Sequence, residues 1–147
     1  MCGIAGLFCP TGSSAAELGE LTSTMTKPLA HRGPDADGVW LDRESGIGLG
    51  HRRLSIVELS AAGAQPMASS NERWITVYNG ELYNTEDLRK EIEANGNTIN
   101  WRGHSDTEVI LEAVSIWGVA EAAKRCGRWL AAPGRRPSAS KPPPKVC

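Results

Sequence analysis

The sequence has little net charge of either sign, no long apolar run and no closely spaced cysteine pair. Its 147 residues carry 16 basic and 17 acidic side chains, so it lacks the basic excess expected of a protein that coats nucleic acid. No stretch of about 18 apolar residues occurs, which argues against a transmembrane helix. Residues 1–8 have no basic segment before their short apolar stretch, so we expect no secretory signal and no membrane partner.

The four cysteines are too scattered to suggest a disulfide framework. They are Cys2, Cys9, Cys126 and Cys147. A zinc or redox site remains a rival hypothesis because three histidines are also available, but no Cys-x-x-Cys pair supports it. A chain of this length can bury a core without disulfides or metals. We therefore expect reduced thiols, no metal site and a cytoplasmic protein.

Charge and proline are distributed unevenly along the chain. All 17 acidic residues precede residue 127, whereas five of the 16 basic residues and five of the nine prolines follow Cys126. The sequence after Cys126 has no hydrophobic periodicity, and its run of prolines at 142–144 excludes a regular helix. We predict a domain over residues 2–126 and a disordered tail over 127–147. The tail is either a basic or proline-rich docking segment or a non-native end produced by truncation or an altered reading frame.

The body of the sequence predicts a mixed α+β fold. Apolar patterns and turn residues predict strands at 3–8, 38–42, 46–57 and 74–78. Helices are predicted from Ser13 or Ser14, from Asn84 to Gly96, and from Ser105 to about Trp117. Capping signals begin the first and last of these, through Glu17 and Glu108 respectively. Strands in pairs with helices between them favour α+β over a parallel βαβ array.

Cys2 is the first candidate reactive residue. If Met1 is removed, Cys2 carries both a thiol nucleophile and a free amine, whose reference pKa of about 8 lets it accept the thiol proton. The following Gly3 lets a substrate approach the backbone closely. The alternative is a buried cysteine that begins an edge strand.

Four later segments carry groups that could bind a small polar molecule, although each has a plainer interpretation. Residues 31–35 form a rigid charged loop that could be a turn with a salt bridge. The arginines of segment 51–57 could bind a carboxylate or be a solvated strand end. Asn79 and Gly80 offer oxyanion donors but also fit a hairpin turn. Asp106 either caps a helix or binds an ammonium group.

Taken together and in this order, the segments resemble the glutamine amidotransferase domain of class II, the N-terminal-nucleophile type. Within that class the chain is similar to the glutamine-hydrolysing asparagine synthetases. The matching stretches are CGIAGLF (2–8), HRGPDADG (31–38), GHRRLSIVELSAAGAQPM (50–67), VYNGELYN (77–84) and GHSDTEVIL (103–111). The resemblance implies an αββα sandwich that is incomplete on its C-terminal side. It also favours a non-native origin for residues 127–147, because the family pattern stops near Cys126.

The resemblance assigns roles to three catalytic residues. Cys2 would attack the side-chain amide of glutamine, with its own α-amine as the base. The Asn79 side chain and the Gly80 backbone N–H would stabilise the oxyanion.

The resemblance also assigns the residues that bind the substrate. Arg53 would bind the α-carboxylate of glutamine, and Glu81 with Asp106 would hold its α-ammonium. Four consecutive residues would line the pocket with their backbone: Leu54, Ser55, Ile56 and Val57.

The implied substrate is L-glutamine, and the ammonia released would serve a synthetase domain that normally belongs to the same chain. ATP and Mg²⁺ are implied only for that absent domain, so we expect no cofactor in this one. The ammonia acceptor would be aspartate or a related carboxylate. The alternative is a catalytically impaired fragment that binds glutamine or serves as an interaction module, for example in a homodimer.

Overall fold

A three-stranded antiparallel sheet and a group of three helices make up most of the computed structural model, which describes residues 2–10, 14–56, 58–96 and 98–127. The strands are β1 (Gly3–Phe8), β2 (Ala36–Asp42), β3 (Ile47–Arg53), β4 (Met67–Ala68) and β5 (Ile75–Thr76). The α-helices are α1 (Ala15–Thr26), α2 (Thr85–Ala94), α3 (Asp106–Trp117) and α4 (Val119–Gly127). Short 3₁₀ helices cover Lys27–His31 and Ala61–Gly63.

Strand β3 lies at the centre of the main sheet, between β1 and β2. Its antiparallel register pairs Gly3 with Arg52 and Ala36 with Arg53, so the beginning of β1 and the end of β3 lie side by side. The predicted strand 46–57 is wrong beyond Arg53. There the Asp35 carboxylate accepts a hydrogen bond from the Ser55 N–H at 2.7 Å, which leads the chain out of the sheet.

Helix α1 packs closely on β3 because two glycines of the strand face two threonines of the helix. A β-carbon at Gly48 would overlap the Thr22 hydroxyl, and one at Gly50 would overlap the Thr26 hydroxyl. Both hydroxyls donate to the carbonyl one turn earlier in α1, at 2.7 Å, so neither buried polar group lacks a partner. The predicted capping box at Ser14 is confirmed.

The three later helices enclose an apolar cluster. Its buried members are Leu88, Ile92, Val109, Ala113, Val114 and Ala122, from α2, α3 and α4. The predicted helix from Asn84 is confirmed, and Gly96 follows its end with a left-handed φ of 79°. Helix α4 has no counterpart among the sequence predictions.

Helix α3 begins after Ser105 as predicted, but the predicted capping box is wrong. The Glu108 carboxylate accepts from the backbone N–H groups of Arg102 and Gly103 at 2.9 and 3.2 Å instead. One turn later, the buried Glu112 accepts from the N–H and hydroxyl of Ser70 at 2.6 and 2.8 Å. The two glutamates therefore attach loops to α3.

Two further predictions need correction or fall outside the described residues. The strand predicted at 74–78 is reduced to Ile75–Thr76, because the Tyr78 N–H donates to the Gln65 side chain at 2.6 Å rather than to a strand. Of the predicted tail, Gly127 ends α4, and residues 128–147 lie outside the described part of the chain.

The described residues form a mixed structure compatible with the predicted α+β class, while the αββα sandwich stays a prediction. No helix in the described part of the chain is long and apolar enough to cross a membrane.

Candidate active site

A cavity of about 610 Å³ opens where the end of β3 meets the beginning of α3. Nine residues singled out from the sequence line it: Cys2, Arg53, Leu54, Ser55, Ile56, Asn79, Gly80, Glu81 and Asp106. The tenth, Val57, lies outside the described residues. The cavity therefore brings together segments that are far apart in the sequence.

The Cys2 thiol lies against the backbone that leaves β3. The Leu54 N–H donates to Cys2 Sγ at 3.4 Å, and the thiol lies 3.8 Å from the Leu54 carbonyl oxygen as a donor. Cys2 is a free cysteine and only partly buried. Its sulfur is thus held in one place while remaining accessible from the cavity.

The loop at 33–35 shapes this backbone. Gly33 packs directly on the main chain of Arg52 and Arg53, where a β-carbon would overlap backbone atoms. Asp35 then accepts from the Ser55 N–H, and its own N–H donates to the Arg53 carbonyl at 3.0 Å. These contacts fix the turn that presents Leu54 to Cys2.

The Arg53 guanidinium is a fixed cation at the cavity. Arg53 is only 8% exposed, and its Nη1 donates to the Ser60 carbonyl at 2.9 Å. Its Nη2 donates to the Glu58 carbonyl. Gly63 has no room for a side chain because Arg53 Nη2 occupies that space. A guanidinium held in this way can bind a carboxylate with its remaining N–H groups.

Negative charge lies elsewhere in the same cavity. Asp106 is the first residue of α3, and its Oδ2 accepts from the Leu82 N–H at 3.2 Å. The exposed Glu81 supplies a second carboxylate. One fixed cation and two carboxylates suit a zwitterionic ligand, such as the head group of an amino acid.

Asn79 and Gly80 follow a buried tyrosine and are themselves exposed. A β-carbon at Gly80 would lie 2.5 Å from the Tyr78 hydroxyl, so the tyrosine supports the Gly80 backbone. Burial raises the pKa of the Tyr78 phenol, and the Asp106 carboxylate raises it further. Tyr78 therefore stays neutral, and the two residues after it line the cavity.

Sequence reasoning missed several residues that line the cavity: Glu58, Gly63, Gln65, Tyr78, Tyr83, Ser105 and Thr107. Gln65 donates to the Thr107 hydroxyl at 3.2 Å and accepts from the Tyr78 N–H, so it joins the segment that precedes Asn79 to α3. All of them fall within the matching stretches 50–67, 77–84 and 103–111, which was the available signal.

No group of three or more histidine, cysteine, aspartate or glutamate side chains in the described ranges could hold a metal ion. The lining of the cavity includes the Cys2 thiol, the Asn79 amide, the Gly80 backbone and charged groups of both signs. An accessible thiol beside groups of both charges would suit a cysteine-based site for a small zwitterionic molecule.

The chain belongs to the family of glutamine amidotransferase domains, whose sequence profile matches residues 1–132. It is similar to glutamine-hydrolyzing asparagine synthetase 1 of Bacillus subtilis (strain 168), with 42% identity over 112 residues, 76% of this chain and 17% of the relative. Asparagine synthetase B of Escherichia coli (strain K12) is 38% identical over 111 residues, 76% of this chain and 19% of the relative.

A relative with a different name is amidase chry2 of Gibberella zeae. It is 34% identical over 128 residues, 82% of this chain and 19% of the relative. The chain thus spans less than a fifth of the length of each of these three relatives.

Proposed function

We propose that this chain hydrolyses the side-chain amide of L-glutamine to glutamate and ammonia through a thioester on Cys2. One observation carries the proposal: the Cys2 thiol, the Arg53 guanidinium and the Asp106 carboxylate line a single cavity in a member of the glutamine amidotransferase family. This set of groups supplies a nucleophile and both charges needed to hold an amino-acid head group.

In the first half of the reaction, the Cys2 α-amine takes the thiol proton once Met1 has been removed. The thiolate attacks the amide carbon, and the resulting oxyanion accepts hydrogen bonds from the Asn79 side chain and the Gly80 N–H. The carbon–nitrogen bond then breaks, and the proton held by the α-amine goes to the leaving nitrogen. The products are ammonia and a glutamyl thioester.

In the second half, water attacks the thioester with the same α-amine as the base. The carbon–sulfur bond breaks, the thiol regains its proton and glutamate leaves. Arg53, Glu81 and Asp106 bind the unreacting head group in both halves and so hold the amide against the sulfur. In a longer protein, the ammonia would serve ATP-dependent amide formation on a carboxylate such as aspartate.

A second candidate function is a glutamine-binding interaction module with impaired catalysis. It is favoured by the apolar side chains of β1 that point away from α1, because Ile4 is 36% and Phe8 64% exposed. Exposed apolar side chains on one strand are suited to association, including the formation of a homodimer.

The decisive experiment replaces the thiol. Cys2→Ala should abolish glutamate release but leave glutamine binding nearly intact, because the thiol forms its bond only during the reaction. The matched control, Cys9→Ala, changes a cysteine outside the lining of the cavity and should keep full activity. Glutamate release by the wild-type chain and both variants is measured enzymatically, and glutamine binding by calorimetry.

A covalent probe tests the same assignment independently. The glutamine analogue 6-diazo-5-oxo-norleucine should add one mass increment, located on Cys2 by peptide mapping. The same intact-mass measurement should show a chain that begins at Cys2. Activity in a preparation that keeps Met1, or a label on another cysteine, would contradict the mechanism. Glutamine binding by the wild-type chain without glutamate release would favour the interaction module.

A further inference from the structure

Glu58 lies on the loop between β3 and β4 and lines the same cavity as the Arg53 guanidinium and the Asp106 carboxylate. The mechanism above gives it no role. Yet its backbone contacts the Arg53 guanidinium, and its side chain contacts the loop that leads to Asp106.

The Glu58 backbone is part of the support for the Arg53 guanidinium. The carbonyls of Glu58 and Ser60 accept the two Nη donors of Arg53. The Glu58 carboxylate closes this turn, since its Oε1 accepts from the Ser60 N–H at 2.9 Å and from the Ser60 hydroxyl at 2.6 Å. The position of the cation therefore depends on the shape of segment 58–60.

The other carboxylate oxygen reaches the loop before α3. Glu58 Oε2 accepts from the His104 N–H at 3.0 Å, two residues before Asp106. Gly103 leaves space for this approach, because a β-carbon there would lie 2.5 Å from Glu58 Oε2 and 2.8 Å from the Ala62 β-carbon. One carboxylate therefore joins the segment that holds Arg53 to the segment that presents Asp106.

We propose that Glu58 is a positioning residue that sets the separation between Arg53 and Asp106, so that the cavity selects ligands carrying both an α-carboxylate and an α-ammonium group. This inference rests on the proposed function and concerns how that site chooses its substrate. Glu58 itself does not touch the reacting atoms.

The negative charge of Glu58 suits this role. The His104 N–H, followed by the Ser60 hydroxyl and N–H, lowers its pKa to about 2, so the carboxylate is ionised at neutral pH and accepts at both oxygens. A glutamine in its place would turn an NH₂ donor toward the donors of either Ser60 or His104. An aspartate would keep the charge but lose the reach of one methylene group.

The test compares three ligands on the full chain with Cys2→Ala, which prevents turnover. The ligands are L-glutamine, 4-carbamoylbutanoate, which lacks the α-ammonium, and 4-aminobutanamide, which lacks the α-carboxylate. Adding Glu58→Gln should weaken glutamine about tenfold, as expected for the loss of one charge-assisted hydrogen bond, and each single-headed ligand less than about threefold. Glu58→Asp should behave like Glu58→Gln. Calorimetry measures glutamine, and competition against it measures the weaker ligands.

The matched control is Glu20→Gln on the exposed face of α1, which should change none of the three affinities. If Glu58→Gln does not fold, Gly103→Ala forces the same two segments apart and should give the same pattern. Equal weakening of all three ligands, or unchanged glutamine affinity, would overturn the role of Glu58 alone. If the Cys2→Ala chain binds no glutamine at all, the proposed function fails and this inference fails with it.

Discussion

The sheet half of the molecule, β1–β3 with α1, is packed differently from the helical half, α2–α4. In the helical half, side chains from three helices enclose a common cluster in which Leu88 and Ile92 are 1% and 0% exposed. In the sheet half, α1 covers one face of the sheet, and on the other face Ile4 and Phe8 keep 36% and 64% of their surface in solvent. The larger apolar core therefore belongs to the helical half.

The residues that line the cavity are distributed differently, because more of the candidate site residues come from the half with the smaller core. Cys2 and Arg53 lie at the edge of the sheet half, whereas the helical half contributes Asp106 at the start of α3. Cys2 is only partly buried and lines the cavity, so its thiol is accessible from solvent. The apolar core of the helical half stabilises α3, the helix that carries Asp106 into the site. From this comparison we expect substitutions in the apolar core to act mainly through the helical half, and substitutions at the site to act mainly through the sheet half.

The largest effect should come from a cavity in the helical half. Leu88→Ala removes a side chain that is 1% exposed and should lower the free energy of unfolding by about 2–5 kcal/mol. Leu21→Ala on α1 should cost far less because Leu21 is 47% exposed. Urea denaturation followed by circular dichroism measures both. Equal costs would contradict the assignment of Leu88 to a well-packed core.

The next effect is a pH dependence carried by the sheet half. His51 lies on β3 with 0% exposure, and burial lowers the pKa of its imidazole to about 4. The unfolded chain takes up this proton near pH 6.5 and the folded chain only near pH 4, so acidification favours unfolding across that window. The expected loss is about 3 kcal/mol by pH 4, and stability recovers as the pH rises through 6.5.

The assay for this effect compares the wild-type chain with His51→Leu, which keeps the site apolar and cannot titrate. Urea midpoints at a series of pH values between 4 and 7 should fall for the wild-type chain and stay flatter for the variant. Parallel curves would exclude His51 as the source of the acid sensitivity.

A smaller effect should follow from crowding within the sheet half. Gly50→Ala would place a methyl group on the Thr26 hydroxyl, and separating α1 from β3 should cost about 1–3 kcal/mol. Gly6→Ala is the control, because its β-carbon would meet only Leu49, at 3.9 Å. Thermal unfolding compares the two. A similar midpoint for both variants would show that the contact between α1 and β3 adapts at little cost.

The sequence predicted the elements whose signals are local. Residues 3–8 form β1 as expected, and Ser14 begins α1 because its capping partner Glu17 is three residues away. The end of β3 was missed because it depends on Asp35, a residue that no local pattern connects to Ser55. The predicted capping box at Ser105 was wrong because Glu108 accepts hydrogen bonds from the preceding loop instead.

The candidate site could be predicted only in part for a related reason. Residues such as Cys2 and Arg53 carry distinctive side-chain chemistry, and all of the described ones line the cavity. Glu58 and Gln65 act on backbone N–H groups of distant segments, and backbone partners leave no trace in the sequence. Their contacts therefore emerged only from the three-dimensional structure.

The two threonine–glycine contacts between α1 and β3 also have a geometric consequence. Thr22 and Thr26 are one helical step of four residues apart, about 6 Å along the axis, and Gly48 and Gly50 are two strand residues apart, about 6.8 Å. Because the two repeats nearly match, both contacts can form at once only in a single alignment of helix and strand. Sliding by part of a repeat would break both, so α1 and β3 should open together, as one cooperative unit, during native-state fluctuations.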